Sequence, residues 1–442
     1  VSREPFWRDL EHIVNNFKIR GSWGELGNCN TTAFYPFYQT MPTGVENSGW
    51  LINGKKPNTA SAPGIVSAEM TWETVRSWNI GFDFGLLNNR LTGSFDYFVR
   101  NTLDMIGPAP QLPATLGATV PKVNNADMKA WGFEVEVSWR DRIKDFNYGV
   151  KFVLSDDQRK VTRYPNEELN RNQWYAGRMD GLVWGYETVG IAKTDAEMEA
   201  HLASLPNGGQ SQLGSKWAAG DIMYKDLNGD GKISSGDGTL NDLGDLKVVA
   251  NTQLRFKYGL TLDASWKGFD FSAFFQGVGK RDVVVGGPYF WGANGQGMWQ
   301  AAAFKDHMDY FRPEDTESVF GPNVDAYYPR VIFGGGSSEG GKNTLTQSRY
   351  VQNGAYIRLK NLQLGYTLPS TITKKFAVNS LRVYVSGDNL WTGTKMRVFD
   401  PEVLGSTGDA GLHGIIGPGA HMLGQEELHE LDGPVGILSL GV

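Results

Sequence analysis

The chain has 442 residues, a formal net charge of -6, 12% aromatic residues and 56 glycines, and its mean hydropathy is -0.35. It contains no apolar run near the roughly 18 residues that a membrane-spanning helix needs, and its acidic balance argues against binding to nucleic acid. Its one cysteine, Cys29, excludes an internal disulfide.

The N-terminus carries no export information that we recognise. The chain begins at Val1, without an initiator methionine, a signal peptide or another targeting segment. We therefore expect a piece of a longer exported protein whose preceding part carries the export signal.

Apolar residues recur at every second position in the first part of the chain, which is the period of a β-strand. In one such stretch Trp131, Phe133 and Val135 share one face, and Glu134 and Glu136 share the other. Tight polar turns separate several of these stretches. The strands predicted in this part are 16–27, 75–85, 90–105, 129–139 and 146–154.

The later part of the chain mixes long irregular stretches with further strands. Residues 156–249 are irregular except for a helix predicted at 195–205, and 281–353 form a second long loop rich in Gly, Trp and Tyr. The last strands are predicted at 355–367 and 380–390. The phase of the alternation slips at Asn361, which indicates a β-bulge.

The hairpin at 254–275 lies between the two long loops and has the clearest pattern. Its first arm alternates without a break from Leu254 to Trp266, and Gly268 turns the chain into the second arm. About 14 residues at roughly 3.3 Å each make an arm near 45 Å long. Such an arm, tilted by about 40°, rises past the apolar band of roughly 25 Å in an outer membrane. The hairpin is therefore typical of a strand pair that spans lipid.

Connections between the predicted strands alternate between short and long. Bacterial outer-membrane barrels have this asymmetry, with short periplasmic turns and long extracellular loops. A barrel that shows lipid only alternate residues also has a low mean hydropathy. We therefore predict an all-β protein, an antiparallel transmembrane β-barrel. The nine predicted strands are an odd number, which indicates that part of the barrel is absent.

The composition changes near the C-terminus. No Phe, Trp or Tyr follows Phe399, and His413, His421 and His429 make up half of the histidines. No alternating strand is predicted in 404–442, where a closing strand is expected. We interpret 404–442 as an out-of-frame or artificial sequence, and a disordered or variable tail is the alternative. Residues 1–403 form the predicted barrel portion.

Seven segments carry a family resemblance, and they follow one another in a fixed order: 17–28 (FKIRGSWGELGN), 77–83 (SWNIGFD), 124–135 (NNADMKAWGFEV), 220–231 (GDIMYKDLNGDG), 356–369 (YIRLKNLQLGYTLP), 381–391 (LRVYVSGDNLW) and 399–402 (FDPE). Together they resemble the C-terminal half of the SusC/RagA-type TonB-dependent transporters. The resemblance extends from about residue 6 to residue 403.

This resemblance implies a 22-stranded plugged barrel in the outer membrane of Bacteroidetes. It also implies a SusD-like surface lipoprotein as partner, energy from the TonB complex, and import of oligosaccharides or peptides. The sequence departs from the family because the plug and TonB box are missing at the front and the closing strand is missing at the back. We therefore expect that this chain alone does not transport.

One polar loop has the spacing of a calcium site. Oxygen ligands at positions one, three, five and twelve, with glycine at six, are typical of an EF-hand or dockerin loop. Aspartate instead of the usual glutamate at position twelve shortens the last ligand. The alternative is a turn without an ion. The predicted calcium ligands are the side chains of Asp226, Asn228, Asp230 and Asp237 and the carbonyl group of Lys232.

Aromatic residues in the long loops are the candidates for substrate contact, because flat rings suit the apolar faces of sugars. Packing within the loops, or against a partner protein, is the alternative for each of them. The run from Gly287 to Trp291 is the best candidate for direct contact. The predicted substrate-binding residues are Tyr289, Phe290, Trp291, Trp184 and Trp217.

Enzyme functions find little support in the sequence. Glu134 and Glu136 are spaced like the carboxylates of a glycosidase, but on the polar face of a barrel strand they are expected to line the lumen. No GxSxG, HExxH or Cys/His pair is present. Two classes of function remain: a piece of an outer-membrane importer, or a soluble or surface-attached, calcium-stabilised β-protein that binds glycan without transport.

Overall fold

The structure, a computed structural model, describes residues 4–10, 12–29, 38–45, 51–60, 63–67, 70–107, 122–294, 303–334, 338–397, 399–402 and 439–441. Long strands dominate this part of the chain. Four short α-helices lie outside the main sheet, at α1 (Asp195–Ala203), α2 (Pro288–Trp291), α3 (Ser338–Gly341) and α4 (Ser370–Thr373). None of the helices in the described ranges is long and apolar enough to cross a membrane.

The strands, in chain order, are β1 (Val14–Asn28), β2 (Thr43–Val45), β3 (Asn58–Ala60), β4 (Glu73–Leu86), β5 (Leu91–Ile106), β6 (Asn124–Ile143), β7 (Phe146–Arg163), β8 (Leu182–Tyr186), β9 (Thr188–Ile191), β10 (Ile222–Tyr224), β11 (Leu246–Asn251), β12 (Arg255–Trp266), β13 (Phe269–Lys280), β14 (Asp282–Val284), β15 (Val351–Asn353), β16 (Tyr356–Thr367), β17 (Arg382–Thr394) and β18 (Ser439–Gly441).

Ten of these strands form one antiparallel sheet in the order β1-β4-β5-β6-β7-β12-β13-β16-β17-β18. The smaller strands pair two by two in the connections. Because β1 and β18 each have one neighbour in this sheet, the described strands do not close into a barrel. The prediction of an all-β, antiparallel barrel wall is confirmed, as part of a barrel.

Side chains alternate between two faces along every wall strand. On the outward face large apolar side chains stay exposed: Ile19 by 60%, Ile80 by 53% and Leu364 by 56%. These residues would be buried if a second sheet or a helix layer covered them. The inward face carries charged pairs, such as the guanidinium group of Arg20 with the carboxylate of Asp96 at 2.7 Å. The wall is thus built to meet lipid on one side and water on the other.

All nine predicted wall strands are present, and most of them extend further than predicted. β7 continues from the predicted end at Leu154 to Arg163. Its outward residues change there from Leu154 to Asp156 and Lys160, so both faces become polar. The alternation of apolar and polar residues therefore ends after Leu154, although the backbone of β7 stays paired with β6.

The structure contains the predicted helix and the predicted bulge, and it adds a short strand in the tail. The predicted helix is α1, which begins after its N-cap residue Thr194. The predicted bulge is confirmed, because the pairing of β16 shifts between Leu359 and Asn361. In the tail, where no strand was predicted, the three residues of β18 pair with β17. The rest of 404–442 lies outside the described residues.

Candidate functional site

The described residues of two long connections, 164–254 and 281–355, pack together at the outer end of the sheet, and we call them the loop unit. They share one hydrophobic core. Burial in this core raises the pKa of the Tyr224 hydroxyl group. The most buried members of the core from the first connection are Ile222, Tyr224 and Ile233, and those from the second are Phe290, Ala326, Tyr328, Tyr350 and Phe311. The two connections therefore form one packed body.

A buried carboxylate links the two connections electrostatically. Asp221 has no exposed surface, and both its oxygens accept hydrogen bonds from Arg330, at 2.6 and 2.8 Å. The Nζ atom of Lys342, also fully buried, lies 3.0 Å from the same carboxylate. The amide group of Asn343 donates a third hydrogen bond to it at 2.8 Å. We call Asp221, Arg330, Lys342 and Asn343 the Asp221 network.

The ammonium group of Lys342 also contacts other groups of the loop unit. It donates to the carbonyl oxygens of Ser215, at 2.7 Å, and Lys216, at 3.1 Å. It also lies 4.5 Å from the centre of the Trp217 ring, within the range of a cation–π interaction. No local sequence pattern predicts this network, because its members lie 109 to 122 residues from Asp221.

The predicted substrate-binding run lies partly inside the core. Phe290 is fully buried and Trp291 is 7% exposed, and both pack edge-on against Tyr350. Tyr289, by contrast, is 40% exposed, and its ring stacks on Phe304 at 6.0 Å between centres. Of this run, Tyr289 is the residue that presents a ring to solvent. The neighbouring exposed ring of Phe304 was not among the predicted residues.

The two other predicted aromatic residues belong to the first connection. Trp217 packs against Tyr224 and donates its Nε1–H group to the carbonyl oxygen of Gly214. Trp184 lies on β8, and its buried Nε1–H group has no hydrogen-bond partner in the part of the chain that the structure describes. Both side chains are partly buried, so the structure does not bring them together with Tyr289 in one exposed surface.

The predicted calcium loop has the expected turn. The Asp226 carboxylate accepts hydrogen bonds from the backbone N–H groups of Gly229 and Gly231, at 2.6 and 2.9 Å. Both glycines have a positive φ, of 77° and 79°, which explains why this residue type stands there. The carboxylate of Asp230 accepts from the N–H group of Lys232 at 3.1 Å. The turn is therefore held by its own acidic side chains.

The acidic residues of this loop are not all directed to one point. Asp237 accepts a hydrogen bond from the N–H group of Thr239, at 2.7 Å. Asp245 is fully buried beside the loop, and burial raises the pKa of its carboxyl group, with a further contribution from the charges of Asp226 and Asp230. Within the described ranges, no three His, Cys, Asp or Glu side chains are grouped so that they could hold a metal ion as they stand.

A second set of ion pairs connects the segment after β17 to the wall. Arg358 of β16 pairs with Asp400 and Glu402, and the Lys360 Nζ atom lies 2.9 Å from Glu402. Arg281 donates to the carbonyl oxygen of Pro401. These contacts explain the charged residues of the 399–402 segment.

The family described as "TonB dependent receptor-like, beta-barrel" matches residues 7–266. The TonB-dependent receptor P3 of Formosa agariphila is 27% identical over 416 residues, which cover 91% of this chain and 37% of that protein. The TonB-dependent receptor SusC of Bacteroides thetaiotaomicron is 23% identical over 408 residues, which cover 91% of this chain and 37% of SusC. The chain therefore spans under two fifths of the length of these relatives.

Solved structures show the same fold. The RagAB peptide transporter has a chain that superposes with a TM-score of 0.63 at 22% sequence identity, and the match covers 89% of this chain and 39% of that one. An "open-open" state of the RagAB peptide importer gives a TM-score of 0.62 at 21% identity. With the family match over more than half of its length, this chain belongs to the TonB-dependent receptor-like β-barrels and is a protein of the outer membrane.

Proposed function

We propose that this chain is the wall and outer loop portion of an outer-membrane importer that takes up oligosaccharides, or peptides, by TonB-dependent transport. The observation that carries the proposal is the two-faced sheet. Apolar side chains such as Ile80 remain exposed on one face, and ion pairs such as Arg20 with Asp83 and Asp96 line the other. A sheet of this kind encloses a water-filled path when the remaining strands complete it.

The partners of this proposal come from the relatives. SusC is a TonB-dependent receptor, and RagAB is a peptide transporter. We propose that this chain works with a SusD-like lipoprotein at its outer face, as its resemblance to the SusC/RagA-type transporters implies. Contact with TonB would be made by parts of the protein outside this chain.

We propose that Tyr289 and Phe304 contact the transported molecule. Their stacked rings are 40% and 46% exposed, while the rings behind them form the core of the loop unit. An exposed aromatic pair on a rigid base provides contact area at low entropic cost. Trp184, Trp217, Phe290 and Trp291, the other predicted residues, would then support this pair by packing.

Uptake in cells tests this function. Deletion of the gene is expected to abolish growth on the imported oligosaccharide or peptide, and the unchanged gene is expected to restore it. Tyr289→Ala is expected to weaken uptake at low substrate concentration, because a contact ring is lost while the core remains. The matched control is Val319→Ala, at a residue 92% exposed in the same loop unit. Equal uptake by Tyr289→Ala and the control contradicts the contact, and growth without the gene contradicts the importer.

We also propose that Ca²⁺ stabilises the loop at 226–237. The side chains of Asp226, Asn228 and Asp230 and the carbonyl group of Lys232 lie in one turn and have the oxygen chemistry that Ca²⁺ prefers. A cation there would also offset the repulsion among Asp226, Asp230 and the buried Asp245. Because Asp237 turns to Thr239, it would have to rotate to serve as a ligand.

Calorimetry and proteolysis check this site. Ca²⁺ is expected to release or absorb heat on binding and to slow cleavage near Gly229, because the ion crosslinks the turn. Asp226→Ala is expected to abolish both effects. Asp325→Ala, which removes an exposed carboxylate elsewhere in the loop unit, serves as the control. A protein that gives no heat with Ca²⁺, and whose cleavage rate is the same with Asp226→Ala, has a turn without an ion.

A further inference from the structure

A row of arginines crosses the inward face of the wall near its outer end. Arg100 of β5 pairs with Ala130 of β6, and Ala130 pairs with Arg159 of β7. Val99 and Trp131, their chain neighbours, belong to the outward face, so alternation directs Arg100 and Arg159 inward. Adjacent strands lie about 4.8 Å apart, which places the two arginines roughly 10 Å apart at their backbones. The small Ala130 between them leaves the space above it open.

A third arginine joins this row from the loop unit. Beyond the outer end of β12, residues 177–180 of the loop unit lie beside β7. The N–H group of Asp180 donates to the carbonyl oxygen of Arg159 at 3.0 Å, and that of Val161 donates to the carbonyl oxygen of Arg178 at 2.9 Å. Met179 lies opposite the outward Lys160, so Arg178 is on the inward side with Arg159. We call Arg100, Arg159 and Arg178 the arginine row.

The arginine row borders a shallow cleft with an aromatic wall. Two members of the row, Arg159 and Arg178, line it with Trp174. Its other charged lining residues are Lys160 and Asp180, and its apolar ones include Met128 and Val161. The Trp174 ring is 38% exposed, and it is held in place by a tilted contact with Tyr164 at 5.7 Å between ring centres. The cleft therefore offers cationic groups and one flat apolar face side by side.

The charge of the arginine row is only partly neutralised. Arg159 lies 3.8 Å from Asp157 and 3.9 Å from Asp180, and Asp157 has a closer partner in Lys257, at 2.7 Å. Arg178 donates to the carbonyl oxygen of Gln173 at 2.8 Å. Neither Arg100 nor Arg178 has a carboxylate within 4.0 Å among the residues the structure describes. Four cationic side chains thus face two carboxylates.

Several deeper inward cations are paired with carboxylates. Arg20 is held by Asp83 and Asp96, and Lys151 lies 2.8 Å from Glu136. An anionic group entering from outside would therefore meet unneutralised guanidinium groups at the outer row and paired or acidic groups below it. The capacity to bind an anion is concentrated at the outer end of the wall.

We propose that the arginine row with Trp174 is a subsite for an acidic oligosaccharide, one that carries uronate carboxylates. Guanidinium forks bind carboxylates in a bidentate manner, and the indole face packs on the apolar face of a sugar ring. An acidic peptide would use the arginines and leave the exposed indole face without a matching ring. This inference rests on the proposed import function and names the cargo class for it.

Binding to the protein extracted from its native outer membrane tests the subsite. The probes are tetragalacturonate, the neutral tetragalactose of the same length, and tetraglutamate. Tetragalacturonate is expected to quench tryptophan fluorescence when it binds, and its affinity is expected to fall as the salt concentration rises. The double variant Arg159→Gln, Arg178→Gln is expected to bind tetragalacturonate roughly tenfold more weakly, or weaker still, because hydrogen bonds between charged groups are lost.

The control is Lys374→Gln, which removes a positive charge from an exposed residue in the turn between β16 and β17, away from the cleft. Arg159→Lys keeps the charge without the fork and is expected to give an intermediate affinity. Heat-modifiable migration on gels shows whether each variant is folded. Equal binding of the neutral oligosaccharide, preferred binding of tetraglutamate, or unchanged affinity in the folded double variant each overturns the subsite.

This outcome is distinguishable from failure of the import function. If deletion of the gene abolishes growth on a neutral oligosaccharide or a peptide while tetragalacturonate does not bind, the importer stands and the subsite falls. If deletion changes growth on no substrate while tetragalacturonate still binds at the arginine row, the import function fails and the subsite remains as a binding site.

Discussion

Asp221→Ala is expected to separate the two connections of the loop unit while leaving the wall folded. Among the described residues, Asp221 is the carboxylate that contacts both Arg330 and Lys342. Lys342 is fully buried, and its other carboxylate partner, Glu339, lies farther away at 3.2 Å. Breaking a buried ion pair by removing one partner costs about 3–5 kcal/mol, because the remaining charge stays desolvated. Hydrogen exchange and limited proteolysis should show faster opening across 205–225 and 326–347, with unchanged protection in β6 and β7.

Two further variants sharpen this experiment. Asp221→Asn keeps a hydrogen-bonding side chain of the same size, so any loss it shares with Asp221→Ala comes from the charge. Asp325→Ala removes a carboxylate that is 78% exposed and pairs with Lys193. This variant is expected to change the exchange rates little, because solvent screens exposed ion pairs. If Asp221→Ala exchanges as slowly as Asp325→Ala, the network does not hold the loop unit together.

Leu262→Arg is expected to prevent assembly into the membrane. Leu262 lies midway along β12, between Tyr258 and Trp266, and pairs with Val150 and Ala273 on the outward face. An arginine on the lipid face near the middle of the bilayer costs about 2–4 kcal/mol. The fraction of folded protein in the outer membrane, measured by heat-modifiable migration, should fall sharply.

The matched control is Ser272→Arg, one row away on the inward face. Ser272 pairs with Asp263 and Gln363, so the new cation meets water and a carboxylate. This variant is expected to assemble normally. Normal assembly of Leu262→Arg would mean that the outward face meets water, as in the alternative of a soluble, glycan-binding β-protein.

Much of the wall could be predicted because alternation is a local property. A strand with lipid on one side and water on the other must alternate, and the pattern from Leu254 to Trp266 shows this without knowledge of any partner. The bulge at Asn361 was visible for the same reason, since an extra residue shifts the phase of the alternation. The outer parts of β6 and β7 were missed because polar residues such as Asp127, Asp156 and Lys160 interrupt the alternation there.

The site was less predictable because burial is a property of the assembled loops. Tyr289, Phe290 and Trp291 are equivalent candidates in the sequence, yet one ring is exposed and two are in the core. The turn at Asp226 could be predicted, since its glycines and acidic residues lie within a few positions of each other. The direction of Asp237 could not, because Thr239 competes for its carboxylate.

The sequence by itself determined the two-faced strands, their order of short and long connections, the helix at Asp195 and the turn at Asp226, all of which depend on residues close together in the chain. Only the tertiary structure decided which aromatic rings face solvent, which cations surround Asp221, and that Arg100, Arg159 and Arg178 stand in one row. These arrangements depend on strand register and loop packing, which bring together residues up to about 120 positions apart.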